Sequence, residues 1–507
     1  MFRLSAMSAT LLALSSGAGL ADITADDVWQ SWQARLSDLG YEVSGTPGRE
    51  GDRLVVPDIR LSQTLEDDGG RAELRIGRIA FADRDDGTVA VIYPETMPME
   101  LVVTPEEGET VTATLTLSHD DLSIIASGTA ERIGYAYEGD SLRLALGEVT
   151  VDGEAMDGLS GALRFDDVSG TSESAVEAGV RRSAQTLASG AMSYALTAEP
   201  PDDAEEEGSL RLEGRADSLA LDTRMTAPVD TGLDDLAAAL NAGFAVDAQL
   251  VFGPGESLTV VTDEEGTSRA TSRSAGSGLE LALSDEGLVT AFDSAGAAGR
   301  LEGGDLPFPV AYEAEEAAAR LVLPVARDDA AQEFELSVDL SEVSVSEEIW
   351  AQIDPEGTLP RDPASLAFAL SGAGQVRVDL FDEAAMEALE DGDSSGFEPE
   401  RVVLERLLLE VAGATLTGTG ALDIEPGETD GLEMPAAEGA IDLQLDGGNT
   451  LLDRLVAIGV LSQDEAATAR MMAAMFARPA EDEADRLTSR IEIERDGSVT
   501  VNGQRMR

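Results

Sequence analysis

Val111-Thr112-Ala113-Thr114-Leu115-Thr116-Leu117-Ser118 decides the fold, because apolar side chains alternate with small hydroxylic ones through the inner part of the stretch. Successive side chains on a strand point to opposite faces, so this segment has one apolar face and one wet face. Leu142, Leu144 and Leu146 repeat the pattern. So do Phe334, Leu336, Val338 and Leu340 against Glu335, Ser337 and Asp339, and again Ile441, Leu443 and Leu445. Strands with a single apolar face belong to antiparallel sheets with one side in water. Gly69-Gly70, Asp86-Gly87, Asp152-Gly153 and Asp496-Gly497 punctuate the alternation with pairs that tight hairpins favour, since glycine reaches positive φ without a clash. The expectation is a mainly β protein whose strands are joined by sequential hairpins.

Helical periodicity is confined to patches. Thr24-Ala25-Asp26-Asp27 places a cap residue before two first-turn acids, and Val28, Trp32, Leu36 and Leu39 then share a face up to Gly40. This helix is expected to cap a sheet with Trp29 and Trp32, with contact to lipid as the alternative role for the pair. Shorter helices are expected over Asp234–Ala242, ahead of a strand at Phe244–Phe252, and over Asp382–Leu389. Near the C-terminus, Thr450–Ile458 carries Leu451, Leu452, Leu455 and Ile458 on one face behind a cap-like Thr450–Asp453. Ser462-Gln463-Asp464-Glu465 is a capping box that opens a helix through Phe476. A hairpin over Ile491–Val501 closes the chain.

The 507 residues include no lysine, no cysteine and one histidine, His119. The 34 basic residues are all arginine and face 99 acidic ones, for a net charge of -65. Such a surface repels nucleic acid and anionic membrane faces, so neither is expected as a partner. Without cysteine there are no disulfides, and folding rests on burial. Without lysine there is no Ser-Lys dyad, and one histidine cannot build a histidine-rich zinc site. Met1-Phe2-Arg3, the apolar run Leu4–Leu14 and the small residues of Ser15–Ala21 read as a signal peptide cleaved near Ala21, which implies export to the periplasm. No later stretch reaches the ~18 apolar residues of a membrane span, so the mature chain is expected to have no transmembrane segment.

Acidic or small-residue runs at Pro200–Gly208, Glu390–Gly396 and Pro479–Glu483 read as solvated linkers. They suggest a signal peptide (1–21), an N-terminal helix plus β region (22–205), a central β region (206–395), and a C-terminal β region with two helices and a terminal hairpin (396–507).

His119, in Ser118-His119-Asp120-Asp121, stands at a strand end, where a turn position explains it as well as a general base does. Asp391–Gly396 matches the first half of a calcium loop but leaves Val402 where the bidentate glutamate belongs. Gly392-Asp393-Ser394-Ser395-Gly396 fits the nucleophile-elbow pattern, yet it follows a helix inside an acidic loop. Gly372-Ala373-Gly374 and Gly418-Thr419-Gly420 lack the third glycine of a dinucleotide fingerprint. No catalytic residue, metal ligand or cofactor is therefore assigned. Met471, Met472, Met475 and Phe476 form a pliable apolar cluster and are the candidate ligand-binding residues of a lipid groove. Packing of their helix on the sheet is the competing reading.

Three segments, WAQIDPEGTLPRDPA (Trp350–Ala364), TLLDRLVAIGVLSQDEA (Thr450–Ala466) and RDGSVTVNGQ (Arg495–Gln504), resemble a family of exported alphaproteobacterial proteins known as a domain of unknown function. That family is distantly similar to the AsmA-like group. The resemblance implies an elongated, curved antiparallel sheet with an apolar inner face, a few capping helices, and a role in envelope lipid handling. The chain departs from that group in lacking its usual membrane anchor, and the family supplies no functional residues. Pro355, Pro360 and Pro363 make Asp354–Ala364 a stiff loop. The expected function is non-enzymatic: binding or envelope maintenance, with acyl chains held in an apolar β groove and lipid or an envelope protein as partner. The alternatives are a structural or protein-interaction module with a filled core, and a carboxylate-based hydrolase with two acids ~5 to 9.5 Å apart in a cleft.

Overall fold

The computed structural model describes residues 23–38, 40–65, 70–200, 208–229, 235–304, 306–382, 396–425, 436–480 and 485–506. The signal-peptide stretch, Leu39, Gly69, most of the first two linkers, residues 481–483 of the third, the helix expected from 383 onward, and residues 391–395 of the calcium-loop and elbow motifs lie outside the described residues.

All 32 described strands join one antiparallel sheet. The alternating stretches lie in strands Val111–Asp120, Arg132–Val151, Gln332–Val345 and Ala437–Asp446. The hairpin turns at Asp86-Gly87, Asp152-Gly153 and Asp496-Gly497 fall where those pairs stand, with Asp152 at φ 49 and Gly153 at φ 83, both left-handed, in a pair that tightens the turn. Hydrogen-bonded pairing continues across both linker regions, from Ala191–Ala198 to Ser209–Ala216 and from Ala364–Val376 to Phe397–Val411.

The connections run in sequence, as expected, each full-width level pairing with the next level along the chain. Arg132–Val151 and Leu159–Glu177 cross the full width of the sheet, as do Gly287–Gly303, Val310–Leu323 and Gln332–Val345 further along. Between these two groups each level is made of two half-length strands end to end, such as Val180–Ser189 with Ala191–Ala198. Successive levels pair half to half, Leu219–Pro228 with Ala245–Phe252 and Ser209–Ala216 with Gly255–Asp263. The chain breaks step at one column: Gly190, Asp217-Ser218, Gly253-Pro254 and Ala275 separate the halves. In the full-width strands the same column holds Asp167 at φ 51, Gly296 at φ 56 and Glu342 at φ 51, all missing from the paired register. Unpaired left-handed residues bend a strand. Their alignment creases the sheet lengthwise into two walls, and small or apolar side chains, Val168, Ser189, Ala216, Leu219, Ser294 and Ala314, are buried along the crease.

Directly paired residues share a face, so the registers trace which side chains line the inside. On the first wall one row runs Leu54, Phe81, Val91, Ile124, Tyr137, Gly170, Leu187, Leu221, Leu250, Leu279 and Phe292. It continues through Ala319, Val338, Phe368, Leu407, Gly418 and Leu443 to Ser489. A row on the second wall runs Ile76, Met99, Leu115, Leu146, Gly161, Leu196, Leu212, Thr259, Ala270, Leu301 and Val310. The opposite face carries arginine–carboxylate pairs such as Arg215–Glu256 at 3.0 Å, Arg273–Glu313 at 2.6 Å and Arg490–Asp442 at 2.7 Å. These pairs are exposed, and each contributes about 1 kcal/mol or less.

Helices close the ends. The N-terminal helix, Ala25–Asp38, begins as its sequence predicts, with Thr24 and Asp27 bonded reciprocally: the Thr24 amide donates to Asp27 Oδ2 at 2.9 Å and the Asp27 amide to Thr24 Oγ1 at 3.3 Å. It buries Val28 and Trp29 in a core with Val56, Phe81, Val89 and Ile133. The Phe81 ring centroid lies 6.3 Å from that of Trp29 and 5.3 Å from that of Trp32. The helix Leu236–Asn241, capped by Asp235, covers a second small core with Ala239, Leu240, Phe244 and Val325.

At the C-terminal end the helices are Gly448–Ala457 and Gln463–Phe476. The Ser462–Glu465 capping box forms as expected. The cap-like Thr450–Asp453 does not: the helix starts earlier, at left-handed Gly447, and the carboxylate of Asp485 accepts from the Asn449 and Thr450 amides at 3.0 and 2.9 Å. A distant carboxylate replaces the local cap because the strand Arg486–Ile493 begins beside the helix start. Asp354–Ala364 is the expected loop, closed by fully buried Asp354, whose carboxylate accepts from Leu359 N at 2.6 Å and Thr358 N at 3.0 Å. The Leu359 bond, with that from Thr358, holds the Asp354 carboxyl below the usual carboxylate range. The sheet tapers at both ends to strands of two or three residues, Glu42–Ser44 and Gly48–Glu50 at one and Val499–Val501 and Gln504–Arg505 at the other.

Candidate functional site

The inner rows are filled at the helix-capped N-terminal end and bare in the middle. Phe81 is fully buried, whereas Leu279 is 47% exposed, Phe292 42% and Tyr312 48%, although all are inward ladder positions. Val261, Leu281, Leu301, Leu336 and Val345 are likewise exposed on the inner face. These strands have built an apolar surface for which the described residues provide no covering element. Contiguous exposed apolar surface on this scale marks a binding site more often than a packing fault. A cavity of about 600 Å³ lies across the crease, lined from the two walls by Met192, Tyr194, Phe252, Phe292, Tyr312 and Leu340.

Glycines keep the trough from closing on itself. Tyr312 lies against Gly299 on the neighbouring strand, where a Cβ would fall 2.4 Å from its Cε1. Tyr194 crosses Gly214 with a corresponding distance of 2.5 Å, and Phe334 crosses Gly372 at 2.4 Å. Each ring lies flat over a bare backbone instead of standing up into the trough.

Close to the N-terminal helix the inner face turns polar. Ser172 and Ser174 face Gln185 and Ser183 across a strand pair, with Arg181 beside them. Arg181 is buried and holds Asp38 of the helix at 2.6 Å, with a further bond to Ser174 Oγ at 3.3 Å. Trp32 Nε1 donates to Tyr135 Oη at 2.9 Å, and Arg35 donates to Ser172 Oγ at 3.5 Å. Burial holds the Arg35 pKa below the usual arginine range, and the charge of Arg181 adds to that. Burial also pushes the hydroxyls of Tyr93 and Tyr135 up, so both stay protonated.

Met471, Met472, Met475 and Phe476 lie on the helix Gln463–Phe476 and are 62, 55, 55 and 43% exposed. The helix meets the rest of the protein through buried Ala466 and through Arg470, which bonds Asn449 and Asp453. Its last carbonyl, Phe476 O, accepts from inward-facing Ser489 Oγ at 2.5 Å, which ties the helix end to the terminal strands. The four side chains therefore point to solvent instead of packing on the sheet, and none belongs to the ladder rows above.

His119 ends Val111–Asp120, pairs with Leu142 and places Nε2 3.4 Å from Tyr93 O. Asp120, next along the strand, points to the opposite face and accepts from Ser141 Oγ at 2.7 Å, so the two do not form an acid–base pair. Gly372–Gly374 and Gly418–Gly420 lie inside strands, and their glycines make room for Phe334, Phe397 and Leu443. Among the described residues no cluster of histidine and carboxylates fits a metal ion, and no helix is long and apolar enough to cross a membrane. A larger hollow of about 920 Å³ lies mainly against outward positions of the second wall, where Arg164, Arg215, Arg273 and Arg300 are each held by a carboxylate.

The inward residues Leu115, Leu146, Leu336, Val338 and Leu443 are readable from their alternation, whereas Leu187, Leu221, Leu250 and Leu279 of the open middle are not among the alternating stretches named above. The polar patch at Ser172, Ser174 and Arg181 matches no motif. Its signal is the loss of alternation in Ser169-Gly170-Thr171-Ser172-Glu173-Ser174, which is polar on both faces.

Residues 248–506 match the model of a bacterial protein family, described as "Uncharacterized protein conserved in bacteria (DUF2125)". No curated protein matches the chain. No solved structure matches it either.

Proposed function

The chain belongs to this bacterial family, whose model covers just over half of it, and on that premise we propose that the protein is a non-enzymatic binder holding acyl chains in its creased β trough. The observation that carries this reading is the row of inward apolar side chains left bare at Leu279, Phe292 and Tyr312. Water against that surface is unfavourable by about 25 cal/mol per Å², and a hydrocarbon chain lying in the trough removes the cost. The open middle favours a binder over an interaction module with a filled core. Strand carboxylates such as Glu256, Glu313 and Asp442 point outward into arginine pairs, away from the trough, which favours a binder over a hydrolase working with two cleft acids.

Export to the periplasm through a signal peptide at residues 1–21, a place in envelope maintenance, an alphaproteobacterial setting and distant kinship with the AsmA-like group complete the proposal. Their support is the N-terminal sequence and the three resembling segments. The test is native mass spectrometry of protein purified from a periplasmic extract, followed by lipid extraction of the same sample. Phospholipid or fatty acid at defined stoichiometry is the expected result. A lipid-free mass, with no uptake of added fatty acid, rejects the trough as an acyl-chain site. Recovery of the protein only from the cytoplasm rejects the periplasmic assignment.

A further inference from the structure

The inward surface becomes charged where the first wall passes beneath the C-terminal half of the helix Ala25–Asp38. Arg181 serves that helix, since Asp38 occupies its guanidinium from two nitrogens, at 2.7 and 2.6 Å. Arg35 is left over. Its guanidinium is half-buried above the same patch, and among the described residues its one hydrogen-bond partner is Ser172 Oγ at 3.5 Å, with no carboxylate in ion-pair range. The chain has 99 carboxylates and a net charge of -65, so a half-buried cation without one is conspicuous. Such a charge costs free energy until an anion reaches it, and the neighbouring guanidinium of Arg181 raises that cost. Ser174 Oγ accepts from Ser183 Oγ and from Arg181, each at 3.3 Å, which leaves its own hydroxyl proton as a further donor.

We propose that this patch receives the anionic head group, a carboxylate or phosphate, of an amphiphile whose hydrocarbon chain lies over Leu187, Leu221, Leu250 and Leu279. The assignment rests on the acyl-chain reading of the trough and fixes the ligand's direction: head beneath the N-terminal helix, tail toward the open middle. From the strand of Ser172 to that of Leu279 there are four interstrand steps, about 19 Å at the usual sheet spacing, a span suited to a long acyl chain.

The experiment titrates the full chain with cis-parinaric acid and, separately, with its uncharged methyl ester, for the wild type, Arg35→Gln and Arg35→Lys. Arg35→Gln is expected to weaken the acid about tenfold or more, as loss of a charge-assisted bond does. Binding of the ester is expected to stay unchanged, and Arg35→Lys to restore most of the affinity for the acid. The ester reports in the same preparations that the trough is folded. Equal losses for acid and ester, or no loss for either, overturn the head-group site while leaving the trough reading intact. Failure of the wild type to bind either probe overturns both. Inorganic phosphate alone, bound as tightly as the acid and with the same dependence on Arg35, would make the patch a small-anion site and overturn the amphiphile.

Discussion

The N-terminal end and the middle of the sheet are built from the same alternation, yet one is a core and the other a bare surface. At the end, Leu54, Phe81 and Val91 occupy the inner row and Trp29 and Val28 come down on them from a helix. In the middle, Leu279 and Phe292 occupy the same row, and no described element covers them. Period-two patterning therefore specifies an apolar face and does not specify what fills it. A strand row becomes a core only where another element supplies matching apolar volume, and where none does, the same residues become a site.

The contrast can be broken from either side. Trp29→Ala removes the largest plug from the filled end and should cost about 3 to 5 kcal/mol, read as a fall in the unfolding midpoint in urea. Asp38→Asn leaves buried Arg181 without its counterion at the same end and should cost about 3 kcal/mol by the same measurement. Gly299→Val tests the open middle: the new Cβ meets Tyr312, and the ring has to swing into the trough. Stability should fall by about 1 to 3 kcal/mol, and uptake of a hydrocarbon probe should drop with it. Leu279→Ala should change stability by less than about 1 kcal/mol, since the side chain is already half in water, while weakening the same probe measurably. A Leu279→Ala variant as unstable as Trp29→Ala would mean that the middle is filled in solution.

Much of the strand content was legible because alternation is a local signal. Val111–Ser118 and the hairpin at Asp496-Gly497 needed no tertiary information, and neither did the capping box at Ser462, whose partners are three residues apart. The crease was not legible. Gly190, Gly253-Pro254 and Ala275 look like hairpin turns, and nothing local distinguishes a chain reversal from a corner between two end-to-end strands. The cap on Gly448–Ala457 was misplaced for a related reason, since Asp485 is 35 residues away from Thr450. For the candidate site, alternation marked the flanking rows at Leu336 and Leu340 but not Leu279, Phe292 and Tyr312, and the polar end depends on Arg181 meeting Asp38 over a separation of 143 residues. Met471 to Phe476 stood out as an apolar cluster, but sequence did not reveal that Ala466 and Arg470 would take the contact face of their helix.

The taper of the sheet to strands of two or three residues has a consequence for the protein among its own copies. A long antiparallel array offers unpaired amides and carbonyls at each end, and a wide bare edge invites the next molecule to add itself as another level. Here the last levels are Gly48–Glu50 and Gln504–Arg505, too short to hold a full-width strand and carrying charged Arg49, Glu50 and Arg505. Levels this short and this charged give another copy little to pair with, so these edges disfavour end-to-end growth.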